Sequence, residues 1–175
     1  RLHHRLLAAA PAGRNWGTST WFPNPELTPT PTATSLIRAL PGPEYDQFTA
    51  ESQQAFWTEE FTVTPNSDRM GYRLAGPALQ RRTTQEILSS AVTFGTVQVP
   101  ADGSPIVLLA DHQTTGGYPR LAQVATVDFP KLAQVPPGGR LQFQRISLAD
   151  AQYWYLHQHN TLQQFHRGLA LLHYR

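Results

Sequence analysis

Proline and glycine interrupt this chain 15 and 12 times in 175 residues, which favours many short elements over a few long helices and leans the fold towards β. The segments between the breaks read accordingly. Leu36–Leu40 reads as a strand stopped by Pro41-Gly-Pro43, and Thr49–Glu59 as a short helix carrying Phe56 and Trp57. Phe61–Thr64 alternates apolar and polar residues, as a half-buried strand does, and Pro65-Asn-Ser-Asp68 is turn chemistry. Tyr72–Ala75, Gly95–Val99, Ile106–Leu109, Arg120–Thr126 and Arg140–Arg145 read as further strands. Seven short strands at this spacing predict a closed or nearly closed barrel.

The two ends read differently. Residues 1–34 finish in the Pro/Thr tract Thr28-Pro-Thr-Pro-Thr-Ala-Thr34, a linker or surface excursion ahead of a body that spans 35–146. The chain begins with Arg1 and its only methionine is Met70, so it reads as a piece of a longer product. Residues 147–175 form a C-terminal amphipathic helix. Ser147-Leu-Ala-Asp150 resembles a capping box, and Leu148, Tyr155, Leu162 and Leu169 recur every seven residues beside Ala151, Phe165 and Leu172. That stripe is expected to pack on the barrel or on a missing part. His157, His159, His166 and His173 are spaced too far apart, or on different faces, to share one ion, so no metal is expected there.

Composition excludes several functions. There is no cysteine, which removes disulfides, thiolate metal sites and a thiol nucleophile. The net charge is only +2 and no basic run exceeds Arg81–Arg82, so no nucleic-acid surface is expected despite a pI near 9.2. No stretch approaches the roughly 18 apolar residues of a membrane span, so a soluble chain is expected. The common phosphate-loop, dinucleotide, serine-hydrolase and zinc motifs are missing.

Three clusters carry candidate chemistry. Asp111-His-Gln-Thr-Thr-Gly-Gly-Tyr118 follows an apolar strand. Asp111 offers acceptors, Gln113 both donor and acceptor, Thr114 and Thr115 hydroxyls, and Gly116–Gly117 close backbone approach. Such a set suits a planar amide, lactam or ureido group; it equally suits a hairpin loop whose side chains satisfy only backbone donors. Arg69 and Arg73 flank Gly71 and could fork onto an oxyanion, or pair structurally with Asp68. Gln98 lies between Val97 and Val99, so alternation sets it on the opposite face, either towards a cleft or exposed on the outside.

Resemblance extends this reading. Ile37-Arg-Ala-Leu-Pro-Gly-Pro-Glu-Tyr45, Ser67-Asp-Arg-Met-Gly-Tyr-Arg-Leu74, Val97-Gln-Val-Pro100 with Asp102-Gly-Ser-Pro105, and Asp111-His-Gln-Thr-Thr-Gly-Gly-Tyr-Pro119 appear in order. Together with Leu132-Ala-Gln134 and Pro137-Gly138 they resemble the second half of the biotin-dependent carboxyltransferase family, over about residues 36–150. The resemblance implies a mainly β fold, a cyclophilin-like β-barrel, with the family's first half absent. It implies a cytoplasmic subunit of an ATP-dependent 5-oxoprolinase complex that cleaves the lactam of 5-oxoproline to glutamate. Its partners would be other subunits, one of them kinase-inhibitor-like, and this piece would be inactive alone. The family also holds a binding protein that antagonises a kinase inhibitor, and carboxyltransferases or hydrolases acting on urea, allophanate or a related amide. In that frame Asp111, Gln113 and Thr114 would be catalytic. Arg69, Arg73, Gln98, Thr115, Gly116, Gly117 and Tyr118 would bind substrate, and His112 has no assigned role. ATP would belong to the complex, with no local motif here. Covalent biotin needs a carrier lysine between methionines, whereas Lys131, the only lysine, sits in Phe-Pro-Lys-Leu, so none is expected on this chain.

Overall fold

The computed structural model describes residues 34–83 and 87–173; the expected linker, residues 1–34, lies outside them except for Thr34. In chain order the strands are β1 (Thr34–Pro41), β2 (Glu60–Val63), β3 (Gly71–Ala75), β4 (Ser90–Ala91), β5 (Thr96–Gln98), β6 (Ile106–Leu108), β7 (Thr115–Gly116), β8 (Arg120–Val124) and β9 (Arg140–Arg145). The helices are α1 (Ala50–Thr58), α2 (Phe129–Leu132) and α3 (Leu148–His173). Seven strands close into a barrel in the order β1-β8-β5-β6-β3-β2-β9, and these are the seven read from the sequence. The short β4 and β7 pair separately as a two-stranded ribbon. Neighbours in the barrel run antiparallel except β1 and β9, which are parallel, with Thr34 to Ala39 set against Arg140 to Arg145.

Alternation fills the interior. Ile37 and Ala39 of β1, Phe61 and Val63 of β2, and Leu141 and Phe143 of β9 are all buried, while residues between them face outward. Helix α1 starts where Thr49 accepts a hydrogen bond from the Ser52 backbone N–H at 3.2 Å. It delivers Phe56 onto Phe143, the rings stacked 4.4 Å apart, with Trp57 edge-on at 4.7 Å. In the Pro41-Gly-Pro43 stop the glycine is required by packing as well as by the turn. A Cβ on Gly42 would overlap the Arg120 carbonyl oxygen.

Strand β8 reads polar, apolar, apolar, polar, apolar, which a regular strand cannot divide between inside and outside. A β-bulge resolves it. Thr96 pairs with Gln123 and Val97 with Ala122, but Gln98 pairs with Arg120, leaving Leu121 as the extra residue. Leu121 therefore turns into the core with Ala122, fully buried, and Arg120 joins Gln123 on the outer face.

One buried ion pair ties the barrel to the segment after β8. Asp128 is 2% exposed and accepts from Arg38 three times: the backbone N–H at 2.7 Å, Nε at 3.0 Å and Nη2 at 2.6 Å. The Trp154 ring of α3 covers the Arg38 guanidinium at 5.1 Å from its centroid.

Helix α3 begins with the expected capping box. Asp150 N–H donates to Ser147 Oγ and Ser147 N–H to Asp150 Oδ2, both at 3.1 Å. The short hydroxyl contact from Ser147 also holds the Asp150 carboxyl below its usual value. Of the expected stripe, Ala151, Phe165 and Leu169 lie on the half-buried face, whereas its heptad members Leu148, Tyr155 and Leu162 do not. Leu148, Tyr155 and Leu162 are 63%, 50% and 49% exposed, and the half-buried face is Ala151, Gln158, Thr161, Phe165 and Leu169. Heptad spacing identifies a helix face but not how the helix is rotated on the body. Trp154, anchored on Arg38, lies about 100° round the helix from Tyr155 and sets that rotation.

Removing one partner of a buried, hydrogen-bonded pair leaves the other charge uncompensated. Asp128→Ala is expected to lower the unfolding free energy by about 3–5 kcal/mol, read from urea midpoints at constant slope. A loss under about 1 kcal/mol would show that the pair contributes little.

Candidate functional site

The Asp111–Tyr118 loop leaves the end of β6, contributes β7 to the ribbon and returns into β8. Its first residues are tied to the turn ahead of β3, with Leu109 N–H donating to Met70 O at 3.0 Å and Asp111 N–H to Arg69 O at 3.1 Å. That brings together two sequence-predicted residues that lie far apart along the chain. Arg69 Nε lies 3.3 Å from Asp111 Oδ2, with the two side chains 91% and 51% exposed. Arg69 does not pair with Asp68, whose Oδ1 instead accepts from the backbone N–H groups of Met70 and Gly71 at 2.8 and 3.2 Å. The Arg69–Asp111 pair thus offers a guanidinium fork and a carboxylate acceptor side by side, both open to solvent.

Gln113, Thr114 and Thr115 follow Asp111 along the loop and are exposed. The ribbon sets their order: Val92 N–H donates to Thr114 O at 3.1 Å, and Ala91 pairs with Thr115 and Ser90 with Gly116. Tyr118 is 50% exposed at the end of the loop, and Gly117 packs loosely near Ser89. His112 turns its Nδ1 onto the Gln113 carbonyl at 2.5 Å. Arg73 stands apart from the group: it is exposed on β3, opposite Ile106, and only its backbone is engaged, by Ser67 and Thr64.

Two residues take a different place from the expected one. Gln98 faces opposite Val97 and Val99 as alternation requires, yet it is 1% exposed, because the ribbon lies over it. Its Nε2 donates to Tyr118 O at 3.2 Å. Gly116 is a glycine for the same reason, since a Cβ there would come within 2.5 Å of Gln98 Nε2. Its missing side chain makes room for Gln98, which is a packing role rather than the close ligand approach expected of it.

Beside Gln98 lies a pair that sequence reasoning did not single out. Arg120 donates to Glu44 through Nε at 2.9 Å and Nη2 at 2.7 Å, its backbone N–H donates to Glu44 at 2.9 Å, and Nη1 reaches Ala91 O of the ribbon at 3.3 Å. Glu44 follows the Pro-Gly-Pro stop, and no periodicity links it to residue 120; the broken alternation of β8 was the available signal. Two shallow grooves, lined by residues such as Leu40, Leu148, Arg38 and Trp154, flank the root of α3 and include none of the loop residues. Among the described residues no helix is long and apolar enough to cross a membrane.

Geometry and sequence now identify the chain. Residues 3–145 match the model of a family described as carboxyltransferase domain, subdomain A and B, and the chain belongs to that family. The match begins ahead of the barrel and ends at the last residue of β9, so α3 lies beyond it. Among individual proteins, the chain is 50% identical over 116 residues to the 5-oxoprolinase C subunit of Haemophilus influenzae, covering 66% of this chain and 38% of that one. It is 30% identical over 114 residues to urea amidolyase of Lachancea kluyveri, covering 58% of this chain and 6% of that one. The crystal structure of the K. lactis urea amidolyase superposes with a TM-score of 0.75 at 24% identity, over 81% of this chain and 9% of that one, which fixes the shared fold. The chain therefore spans less than two-fifths of the bacterial relative it matches best of these three.

Arg120 holds the Glu44 carboxyl below its ordinary value of 4.5, chiefly through the side-chain hydrogen bonds, with partial burial opposing. A carboxyl whose value is lower folded than unfolded stabilises the fold fully above its unfolded value and loses that contribution as pH falls through the folded one. Stability should therefore drop below about pH 4.5 in part through Glu44. Glu44→Gln should flatten that part of the profile, measured as urea midpoints from about pH 6 to pH 3. An unchanged acid limb would remove Glu44 from the account.

Proposed function

We propose that this chain is part of the C subunit of an ATP-dependent 5-oxoprolinase complex, and that its Arg69–Asp111 pair receives the substrate. The observation that carries the reading is the identity gap. Over almost equal lengths the chain is 50% identical to a 5-oxoprolinase subunit and 30% identical to a urea amidolyase. The open pair supports it chemically. In 5-oxoproline a lactam N–H and a carboxylate are held on adjacent atoms, a donor next to an anion. Asp111 is an acceptor for the first and Arg69 a fork for the second, at 3.3 Å from each other. Gln113, exposed two positions along the loop, would donate to the lactam carbonyl, and Thr114 and Thr115 would add hydroxyls from the same loop. In this reading the protein works with other subunits, one of them kinase-inhibitor-like, and this stretch alone is inactive.

In this reading ATP belongs to the complex, with no local motif on this chain. The two most enclosed guanidiniums in the described ion pairs, Arg38 and Arg120, are each closed on a carboxylate, so neither is free to hold phosphates. No step is routed through the nucleotide on this chain.

The test is ATP-dependent glutamate release from 5-oxoproline by the full-length protein reconstituted with its partners. Asp111→Asn, Arg69→Lys and Gln113→Ala are each expected to lower kcat/KM at least about tenfold, close to 1.4 kcal/mol of transition-state binding. Because the pair is exposed, each should change stability by less than about 1 kcal/mol. Arg73→Lys should stay near wild type. A wild-type complex that carboxylates or hydrolyses urea or allophanate, or that binds a kinase inhibitor without turnover, would overturn the reading.

A further inference from the structure

The outer face of a small barrel ordinarily meets water, but on β5 and β8 it carries four polar side chains in two register pairs, Thr96 opposite Gln123 and Gln98 opposite Arg120. Thr96 and Gln98 are 4% and 1% exposed. Polar groups buried this far need partners, and each of the four finds one on the chain that crosses over it. Thr96 Oγ1 accepts from Thr93 N–H at 3.1 Å and donates to Gln123 Oε1 at 2.9 Å. Gln123 Nε2 donates to Phe94 O at 2.8 Å, and Arg120 Nη1 to Ala91 O at 3.3 Å. Three of the four thus hold the segment 91–94 that joins the ribbon to β5. Gln98 alone reaches the other strand of the ribbon, donating to Tyr118 O and filling the space left by the missing side chain of Gly116.

We infer that Gln98 is a positioning residue, which fixes the Asp111–Tyr118 loop through Tyr118 O and Gly116 so that Asp111 and Gln113 stand at a set distance from Arg69. The catalytic part of this inference rests on the function proposed above; the mechanical part does not. The loop is anchored at its start by backbone bonds to residues 69 and 70 and at its middle by Val92. Its return into the barrel is governed by Gln98 and by the Val99 N–H bond to Pro119 O at 3.0 Å. Gln98 is buried beneath Gly116 and bonds Tyr118 O, so it acts through the loop backbone and not on the ligand. Reacting groups displaced by about 1 Å can cost about a hundredfold in rate, so a small release at Tyr118 is sufficient to be read.

The experiment compares Gln98→Met with wild type. Methionine keeps the length and fills the space but cannot donate. Gly116→Ala presses on the same amide from the other side. Two readouts are taken on the full-length protein: amide hydrogen exchange of residues 111–118, and kcat/KM of the reconstituted complex with 5-oxoproline. Both variants are expected to accelerate exchange in 111–118 at least about fivefold, with β1, β2 and β9 unchanged, and to lower kcat/KM at least about tenfold. Unchanged loop exchange, or acceleration spread evenly over the barrel strands, would overturn the inference. So would failure of both variants to fold, because Gln98 would then be a plain core residue. If the wild-type complex releases no glutamate, the proposed function fails while the exchange result still decides whether Gln98 sets the loop. If wild type is active and Gln98→Met keeps full kcat/KM despite faster loop exchange, the function stands and the positioning role fails.

Discussion

A barrel wall with polar groups on its covered side must satisfy every one of them, and on β5 and β8 that requirement organises the candidate site. The bulge at Leu121 comes first. By turning one leucine inward it places Arg120 next to Gln98, and the two then have to find partners in whatever lies above. The ribbon supplies Ala91 O, the end of the loop supplies Tyr118 O, and Glu44 supplies the carboxylate that keeps Arg120 extended towards it. Net gains from single hydrogen bonds are modest, about 1 kcal/mol each, whereas leaving a buried donor unmet costs about 1–3 kcal/mol. The arrangement is therefore held more by the cost of losing any member than by the gain from each.

The division between rigid and open parts follows. Below the loop are closed, paired groups: Arg120 with Glu44 and Gln98 with Tyr118 O. Above it stand Arg69, Asp111, Gln113, Thr114 and Thr115, exposed and only loosely engaged. The candidate site thus has solvated, chemically diverse side chains mounted on a backbone whose own polar groups are already partnered, which is the division that precise recognition requires.

Much of the barrel was legible because its strands obey two simple rules. Alternation marked Phe61–Val63 and Leu141–Phe143, and Pro or Gly marked where strands stop, so all seven barrel strands could be placed. What escaped was long-range. Gln98 was assigned to the correct face, but nothing local says that a two-residue ribbon will bury that face. Glu44 and Arg120 sit 76 positions apart, as do no two residues that a periodicity argument compares. The C-terminal helix shows the same limit from the other side. Ser147 and Asp150 announced its start, because capping is local, while the rotation of its faces depends on Trp154 meeting Arg38 from another part of the chain. In the loop, Asp111 reads as an acceptor, yet local sequence offers Arg69 only an oxyanion or its neighbour Asp68, because Asp111 is adjacent to Arg69 only in space.

The parallel contact between β1 and β9 imposes an order of events. Thr34–Ala39 is nearly the first part of the barrel to leave a ribosome, and its partner Arg140–Arg145 is the last. Until residue 145 has emerged, one side of β1 is an unpaired strand edge, with Leu36 already apolar along it, and such edges invite other chains. The barrel cannot seal progressively during synthesis; it seals at the end, in one long-range step, which makes the interval of translation after β1 the time at which this chain most needs to be kept from its neighbours.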